Sequence, residues 1–158
     1  MSLSSIVLGL QKADVRFVVI GGYASMVHGS PRITNDVDVC FDRDPENLRR
    51  LAELLGSWGA YPREMEAGLP FVMDAVTLRN SSILTLTTRE GYLDLLDHVE
   101  GVGDFEACLA DSEVAELAGT EFRVLTLDAL IRAKRAAGRE KDQLHVRELE
   151  LLREDAGQ

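Results

Sequence analysis

Cysteine is scarce in this 158-residue chain. Cys40 and Cys108 are its only two, and they fall at no spacing used by structural metal sites or dithiol redox motifs. They are expected to be free thiols in a reducing cytoplasm, which excludes a disulfide-stapled secreted scaffold. Long apolar runs are missing too. Nothing approaches the roughly 20 residues that a membrane-spanning helix needs. The opening Met1-Ser2-Leu3-Ser4-Ser5 lacks the basic stretch and following apolar run of a secretory signal. Positive charge is short: 17 Lys+Arg stand against 27 Asp+Glu, a formal net charge of −10. Such a field repels phosphate at long range, so a general nucleic-acid coat protein is excluded as a first reading.

What is present is ordinary globular material. Hydrophobic residues make up 46 % and charged residues 28 %, which argues against disorder. A chain of this length can bury about two thirds of its unfolded surface and fold without staples. One domain is expected, or one domain with a small helical appendage. The charge is uneven. Arg132, Lys134, Arg135, Arg139 and Lys141 face only Glu140 between positions 132 and 141, a local +4 in an acidic protein. That segment either receives a phosphorylated ligand or is a solvated helix face.

No repeat or low-complexity segment interrupts the pattern. Leu3 to Lys12 reads as a helix with apolar positions 3, 6, 7 and 10. Val15 to Ile20 is β-branched and nearly continuous, as a buried strand should be, and Gly21-Gly22 stops it. Tyr23 to His28 opens a helix that Gly29-Ser30-Pro31 ends. Val37 to Phe41 alternates as a second strand. Pro45 suits the first position of an amphipathic helix over Glu46 to Leu55. Residues 59–80 remain ambiguous. Ile83–Thr87 and Tyr92–Leu96 flank Thr88-Arg89-Glu90-Gly91 as a hairpin, and Glu113–Ala118 and Glu121–Leu125 flank Gly119-Thr120 as another. Thr126 caps a helix ending at Gly138, Arg139–Leu152 is a last helix, and Arg153–Gln158 is expected to fray. Early alternation of strands with helices, followed by hairpins, predicts an α/β (α+β) fold. Five to six strands form a mixed sheet flanked by four to five helices.

The most informative residues are Asp36 and Asp38. At i and i+2 of a strand they project from one face, with Cβ atoms roughly 6–7 Å apart. Val37, Val39 and Phe41 supply the core on the other face. Two ionised carboxylates this close repel each other and call for a positive charge nearby. Oxygen-only ligands of high negative charge suit Mg²⁺ or Mn²⁺ rather than zinc; the plain alternative is a solvated strand face. Cys40 shares their face without an evident function. Gly21-Gly22, in a strand-to-helix turn, either forms a tight turn or lets backbone N–H groups approach an anion. Thirteen residues separate Gly22 from Asp36. Neighbouring strands would therefore bring a phosphate cradle beside a metal site.

These residues resemble a known family. Val19-Ile20-Gly21-Gly22 followed by Asp36-Val37-Asp38-Val39 is similar to the signature of the nucleotidyltransferase superfamily with the DNA polymerase β-like fold. The run Gly-Gly-Tyr-Ala … His-Gly-Ser-Pro-Arg-Ile-Thr-Asn-Asp-Val-Asp resembles most the AbiEii/MenT-like and minimal nucleotidyltransferase groups, many of them members of bacterial toxin–antitoxin pairs. The likeness extends to Ile131–Lys134 and Gly138–Asp142. It implies a nucleotidyltransferase-like core over residues 1–125 and a C-terminal helical segment over residues 126–158 packed on it as one unit. It implies Mg²⁺- or Mn²⁺-dependent transfer of a nucleotidyl group from a nucleoside triphosphate such as ATP to an acceptor hydroxyl on tRNA, protein or a small molecule. Asp36 and Asp38 would bridge the metals. The family's third carboxylate falls on Asp94, with Asp97 as rival; it would ligate the second metal and orient or deprotonate the acceptor. Many relatives carry Gly-Ser where this chain has Gly21-Gly22, so the cradle must rely on backbone N–H groups, with Arg32 as a candidate addition; Arg32 and Thr34 either contact phosphates, hold the Asp36 loop or only solvate the surface.

Two charges near the C-terminus stand on apolar stripes. Lys134 follows Leu127, Leu130 and Ile131, and Asp142 precedes Val146 and Leu149. Either they form a buried latch, or, as the resemblance implies, Lys134 meets a triphosphate and Asp142 shapes the nucleotide or acceptor site, with Arg139 and Lys141 either assisting or only solvating the helix start. His28, His98 and His145 share no ligand spacing and read as packing or surface residues. The resulting expectation is a cytoplasmic enzyme without membrane contact, working alone or with a toxin or antitoxin partner. Its rival is a non-catalytic nucleotide-sensing or partner-binding protein on the same fold.

Overall fold

The computed structural model describes residues 2–66 and 68–157. A seven-stranded mixed sheet organises it. In chain order the elements are α1 (Leu3–Lys12), β1 (Phe17–Ile20), α2 (Gly21–Val27), β2 (Asp36–Phe41), α3 (Pro45–Ser57), β3 (Tyr61–Pro62), α4 (Ala75–Arg79), β4 (Ile83–Thr88), β5 (Gly91–Leu96), β6 (His98–Val99), β7 (Gly103–Asp104), α5 (Phe105–Ala110), β8 (Ser112–Leu117), β9 (Thr120–Leu125), α6 (Leu127–Ala137) and α7 (Glu140–Ala156). The sheet order is β3-β4-β5-β2-β1-β9-β8, and β6 with β7 makes a separate two-stranded ladder. The mixed α/β expectation holds. The described residues contain more elements than expected, because the short β3, β6, β7, α4 and α5 are too brief to leave a period in the sequence.

Each face of the sheet follows from alternation. Val37, Val39, Leu93 and Leu95 are fully buried on one side. Helix α1 covers that region, contacting β2, β5 and β9 through Ile6, Val7 and Leu10. Asp36, Asp38 and Cys40 alternate onto the other side, where α5 brings Cys108 near Cys40. Both thiols are free and buried, so Cys40 acts there as a packed apolar residue. Helix α6 contacts α2 and α7, and buries Ala129, Leu130 and Ile131. Thr126 caps it, accepting from Ala129 N–H, and Gly138 ends it at φ 66°.

Two expectations need correcting. The β8–β9 turn is Ala118-Gly119, one residue earlier than expected, with φ of 51° and 79°. A two-residue loop with both angles positive matches the twist of the strands, and here that match outweighs the strain of a non-glycine residue at Ala118. The chain also does not fray after Leu152. Helix α7 runs on to Ala156, with Leu149 buried, Leu152 packed against the core and Arg153 paired to Asp128. Gln158 lies outside the described residues.

Candidate active site

Strand pairing assembles the three carboxylates. Strand β1 runs antiparallel to β2, and β2 runs parallel to β5. The register sets Asp38 opposite Asp94 and Asp36 opposite Tyr92, while Ile20 lies across from Asp38 on the other flank. Residues directly opposite on one face have Cβ atoms about 5 Å apart, and one oxygen from each of Asp36, Asp38 and Asp94 lies within 4.8 Å of the others. Asp97 does not join them; it follows β5 and is paired with Arg43.

The cluster carries its electrostatic cost visibly. Burial, then the charges of Asp36 and Asp94, push the Asp38 carboxyl up to about 8. Burial also raises Asp94, against the opposing pull of Arg63. Asp38 Oδ1 is buried with no hydrogen-bond partner. An orphaned buried oxygen in an all-carboxylate set is what a hard divalent cation would satisfy, so the residues fit Mg²⁺ or Mn²⁺.

The glycine pair serves this cluster sterically. A Cβ on Gly21, at φ 66°, would stand 2.2 Å from Asp38 Oδ2. A Cβ on Gly22 would meet Thr34 Oγ1 at 2.9 Å. The Thr34 hydroxyl therefore fills the space that a residue-22 side chain would need, and it donates to Asp36 Oδ1 at 3.1 Å.

Beside Asp36 opens a cavity of about 460 Å³ whose walls include Gly22, Arg32, Thr34, Lys134, Lys141 and His145. Three of these carry positive charge. Arg32 is gripped by Glu148 at 2.6 and 2.8 Å. The His145 ring is held below its ordinary value by burial and by the nearby Lys134 and Arg32 charges, which favours its neutral form. His145, expected as a packing or surface residue, is a cavity residue. Sequence spacing could not show this, because its ring faces the wall only once α7 folds back along α6.

Other expected residues are placed elsewhere. Gly21, Arg139 and Asp142 do not line the cavity. Asp142 is fully buried and takes Arg139 Nε at 2.6 Å, Arg139 Nη2 at 3.2 Å and Arg139 N–H at 3.2 Å, with Lys134 Nζ at 3.6 Å. The Arg139 guanidinium, ahead of its other contacts, holds Asp142 below the usual carboxylate range. The pair closes the first turn of α7, so Arg139 is the latch partner and Lys134 keeps donors for the cavity.

Arg63 is the residue that sequence reasoning missed. Its Nη2 donates to Asp94 Oδ1 at 2.7 Å, Nη1 lies 3.9 Å from Asp36 Oδ2, and the guanidinium stacks 4.5 Å from the Tyr92 ring centroid. The repulsion between Asp36 and Asp38 already demanded a cation; only the tertiary fold shows which one answers.

Architecture and carboxylate placement together define a class: this is the nucleotidyltransferase fold. No family profile matches the sequence, and no curated protein is significantly similar to it. Solved structures supply the comparison. A protein of Thermotoga maritima classed as a nucleotidyltransferase is 16 % identical, with 94 % of each chain covered and a TM-score of 0.56. The lincosamide antibiotic adenylyltransferase LnuA, solved with lincomycin bound, is 16 % identical over 95 % of each chain, with a TM-score of 0.61. The antibiotic-resistance factor ANT(2'')-Ia is 16 % identical over 96 % of this chain and 87 % of its own, with a TM-score of 0.56. Likeness at this identity establishes the fold and not the finer AbiEii/MenT-like grouping. Among the described residues, no helix is long and apolar enough to cross a membrane.

Proposed function

We propose that this chain transfers a nucleotidyl group from a nucleoside triphosphate to a hydroxyl of a small molecule. The observation that carries the reading is the convergence of Asp36, Asp38 and Asp94 within 4.8 Å on one sheet face, at the edge of a cavity bearing Arg32, Lys134 and Lys141. Asp36, Asp38 and Asp94 would hold divalent cations, which when bound neutralise developing charge and polarise the α-phosphorus. Lys134 and Lys141 attract the triphosphate and stabilise the departing pyrophosphate as the α-phosphorus bond to it breaks. Asp94, whose carboxyl is raised by burial, accepts the proton of the acceptor hydroxyl as its oxygen bonds to the phosphorus.

Charge selects the acceptor class. Three of the five bases over residues 132–141 are engaged internally, Arg132 with Asp111, Arg135 with Glu150 and Arg139 with Asp142, and the other two, Lys134 and Lys141, line the nucleotide cavity. With a net charge of −10, little basic surface remains for tRNA. A second cavity of about 550 Å³ meets the first at Thr34; Leu3, Asn35, Thr87, Glu90 and Tyr92 line it, with no lysine or arginine. Such a wall suits a neutral or cationic molecule and repels a polyanion. LnuA and ANT(2'')-Ia are named for antibiotics, which agrees with an acceptor of this size.

The test incubates the protein with each labelled nucleoside triphosphate, Mg²⁺ or Mn²⁺, and separate pools of hydroxyl-bearing small molecules, tRNA and protein. Label should move to the small-molecule pool and not in the Asp38→Asn protein. Transfer to tRNA or protein alone would overturn the acceptor assignment. Nucleotide binding without transfer to any pool would instead leave a nucleotide-sensing protein.

A further inference from the structure

Three carboxylates this close repel one another, and the protein's own counter-charge to them is Arg63. Among the described residues it is the only ion-pair partner of the cluster, reaching Asp94 at 2.7 Å and Asp36 at 3.9 Å. The hydrogen bond to Asp94 Oδ1 takes up part of the acceptor capacity of a carboxylate that a cation bound among the three would share. A guanidinium and a divalent cation a few ångströms apart in a half-buried site also repel each other strongly. The two positive charges therefore compete for the Asp94 carboxylate.

We propose that Arg63 is the resident counter-ion of the metal-free site, and that a divalent cation binds only by displacing its guanidinium from Asp94. This rests on the metal-site reading above. The local structure suits such an exchange. The backbone of Arg63 is stapled to β4, its N–H donating to Thr85 O at 2.8 Å, so only the side chain has to move. The guanidinium is held by hydrogen bonds through Nη2 alone, which donates to Asp94 Oδ1 at 2.7 Å and Leu86 O at 3.0 Å, while Nε is buried with no acceptor. Tyr92 offers a flat face along which it can slide. Displacement frees a fork of donors beside the nucleotide cavity, where triphosphate oxygens reward the move. Metal binding and nucleotide binding become cooperative, and the protein resists loading by metal alone.

The experiment titrates Mn²⁺ alone, without nucleotide, by calorimetry. Wild type should bind weakly. Arg63→Met, which keeps the stem on Tyr92 but loses the charge, should bind roughly ten- to a hundredfold tighter, the scale of a released charge-assisted hydrogen bond. Arg43→Met removes a distant positive charge on Asp97 and should leave Mn²⁺ affinity unchanged. If Arg63→Met does not fold, Arg63→Lys and the wild-type Nε–H resonance of Arg63 carry the test: the lysine variant should fall between the two affinities, and the resonance should shift as Mg²⁺ is added. Unchanged or weaker Mn²⁺ binding in the Arg63 variants, or an unmoved resonance at saturating Mg²⁺, overturns the exchange. Mn²⁺ binding to no form, even with a nonhydrolysable triphosphate, removes the metal-site reading and this inference together.

Discussion

The cost of crowding three carboxylates is measurable in the metal-free protein. Asp38 is the clearest probe, since burial and the charges of Asp36 and Asp94 lift its carboxyl from 3.8 to about 8. The direction of the effect follows from proton counting. Between these two values the unfolded chain releases the Asp38 proton and the folded chain keeps it. The unfolded state therefore gains, and stability falls as pH rises from about 4 towards 8. At 1.36 kcal/mol per unit, the roughly three units between 3.8 and pH 7 give a loss on the order of 4 kcal/mol. Asp38→Asn is near-isosteric and cannot ionise, so it should escape the loss. The assay is denaturant unfolding of both proteins in chelator at several pH values. Acids remote from the cluster titrate identically in the two, including Asp142 and Glu148, which are held low and contribute with the opposite sign. The difference isolates Asp38 together with its coupling to Asp36 and Asp94. It should be small at pH 4 and grow to several kcal/mol in favour of Asp38→Asn by pH 7. Saturating Mn²⁺ should reverse the order, because only wild type can bind it fully. A difference flat across this range in chelator would refute the reasoning.

Lys134→Met should change stability by about 1 kcal/mol or less, because Asp142 keeps its closer bonds to Arg139. Triphosphate affinity, read by calorimetry, should fall roughly ten- to a hundredfold; a large loss of stability rescued by Lys134→Met/Asp142→Leu, with unchanged affinity, would make Lys134 a latch residue instead. Gly21→Ala adds a Cβ 2.2 Å from Asp38 Oδ2 in a left-handed backbone position, which should cost about 1–3 kcal/mol in thermal melts and abolish Mn²⁺ binding. Arg32→Ala removes only a partly exposed pair with Glu148, so melts should shift by under about 1 kcal/mol while triphosphate affinity drops; an unmoved affinity would remove Arg32 from the cavity's work.

Why the acids were legible and Arg63 was not is a matter of where each signal is written. Asp36 and Asp38 lie two residues apart in a strand flanked by apolar neighbours, so alternation alone fixes their common face. Asp94 follows by the same rule applied to β5, because Leu93 and Leu95 must point inward. The hairpins and the Thr126-to-Gly138 helix were likewise set by local chemistry, caps and turns acting over a few residues. Residues 59–80 carry no such signal. Strand β3 is two residues long and α4 is five, and both exist because β4 and α3 offer them a surface.

Arg63 belongs to that silent stretch. Its pairing with Asp94 spans 31 positions and depends on an edge strand that local propensity does not specify. Asp142 shows the complementary limit. Its stripe correctly predicted an inward-facing charge, but two cations stood within reach of it, Lys134 and Arg139. The choice between them rests on a capping geometry in which the same Asp142 oxygen accepts both Arg139 N–H and Nε–H. Periodicity can say that a buried charge must have a partner. The partner is decided by which donor the backbone has already brought within about 3 Å, and for both Asp94 and Asp142 that donor is an arginine outside the resembled signature's acidic core.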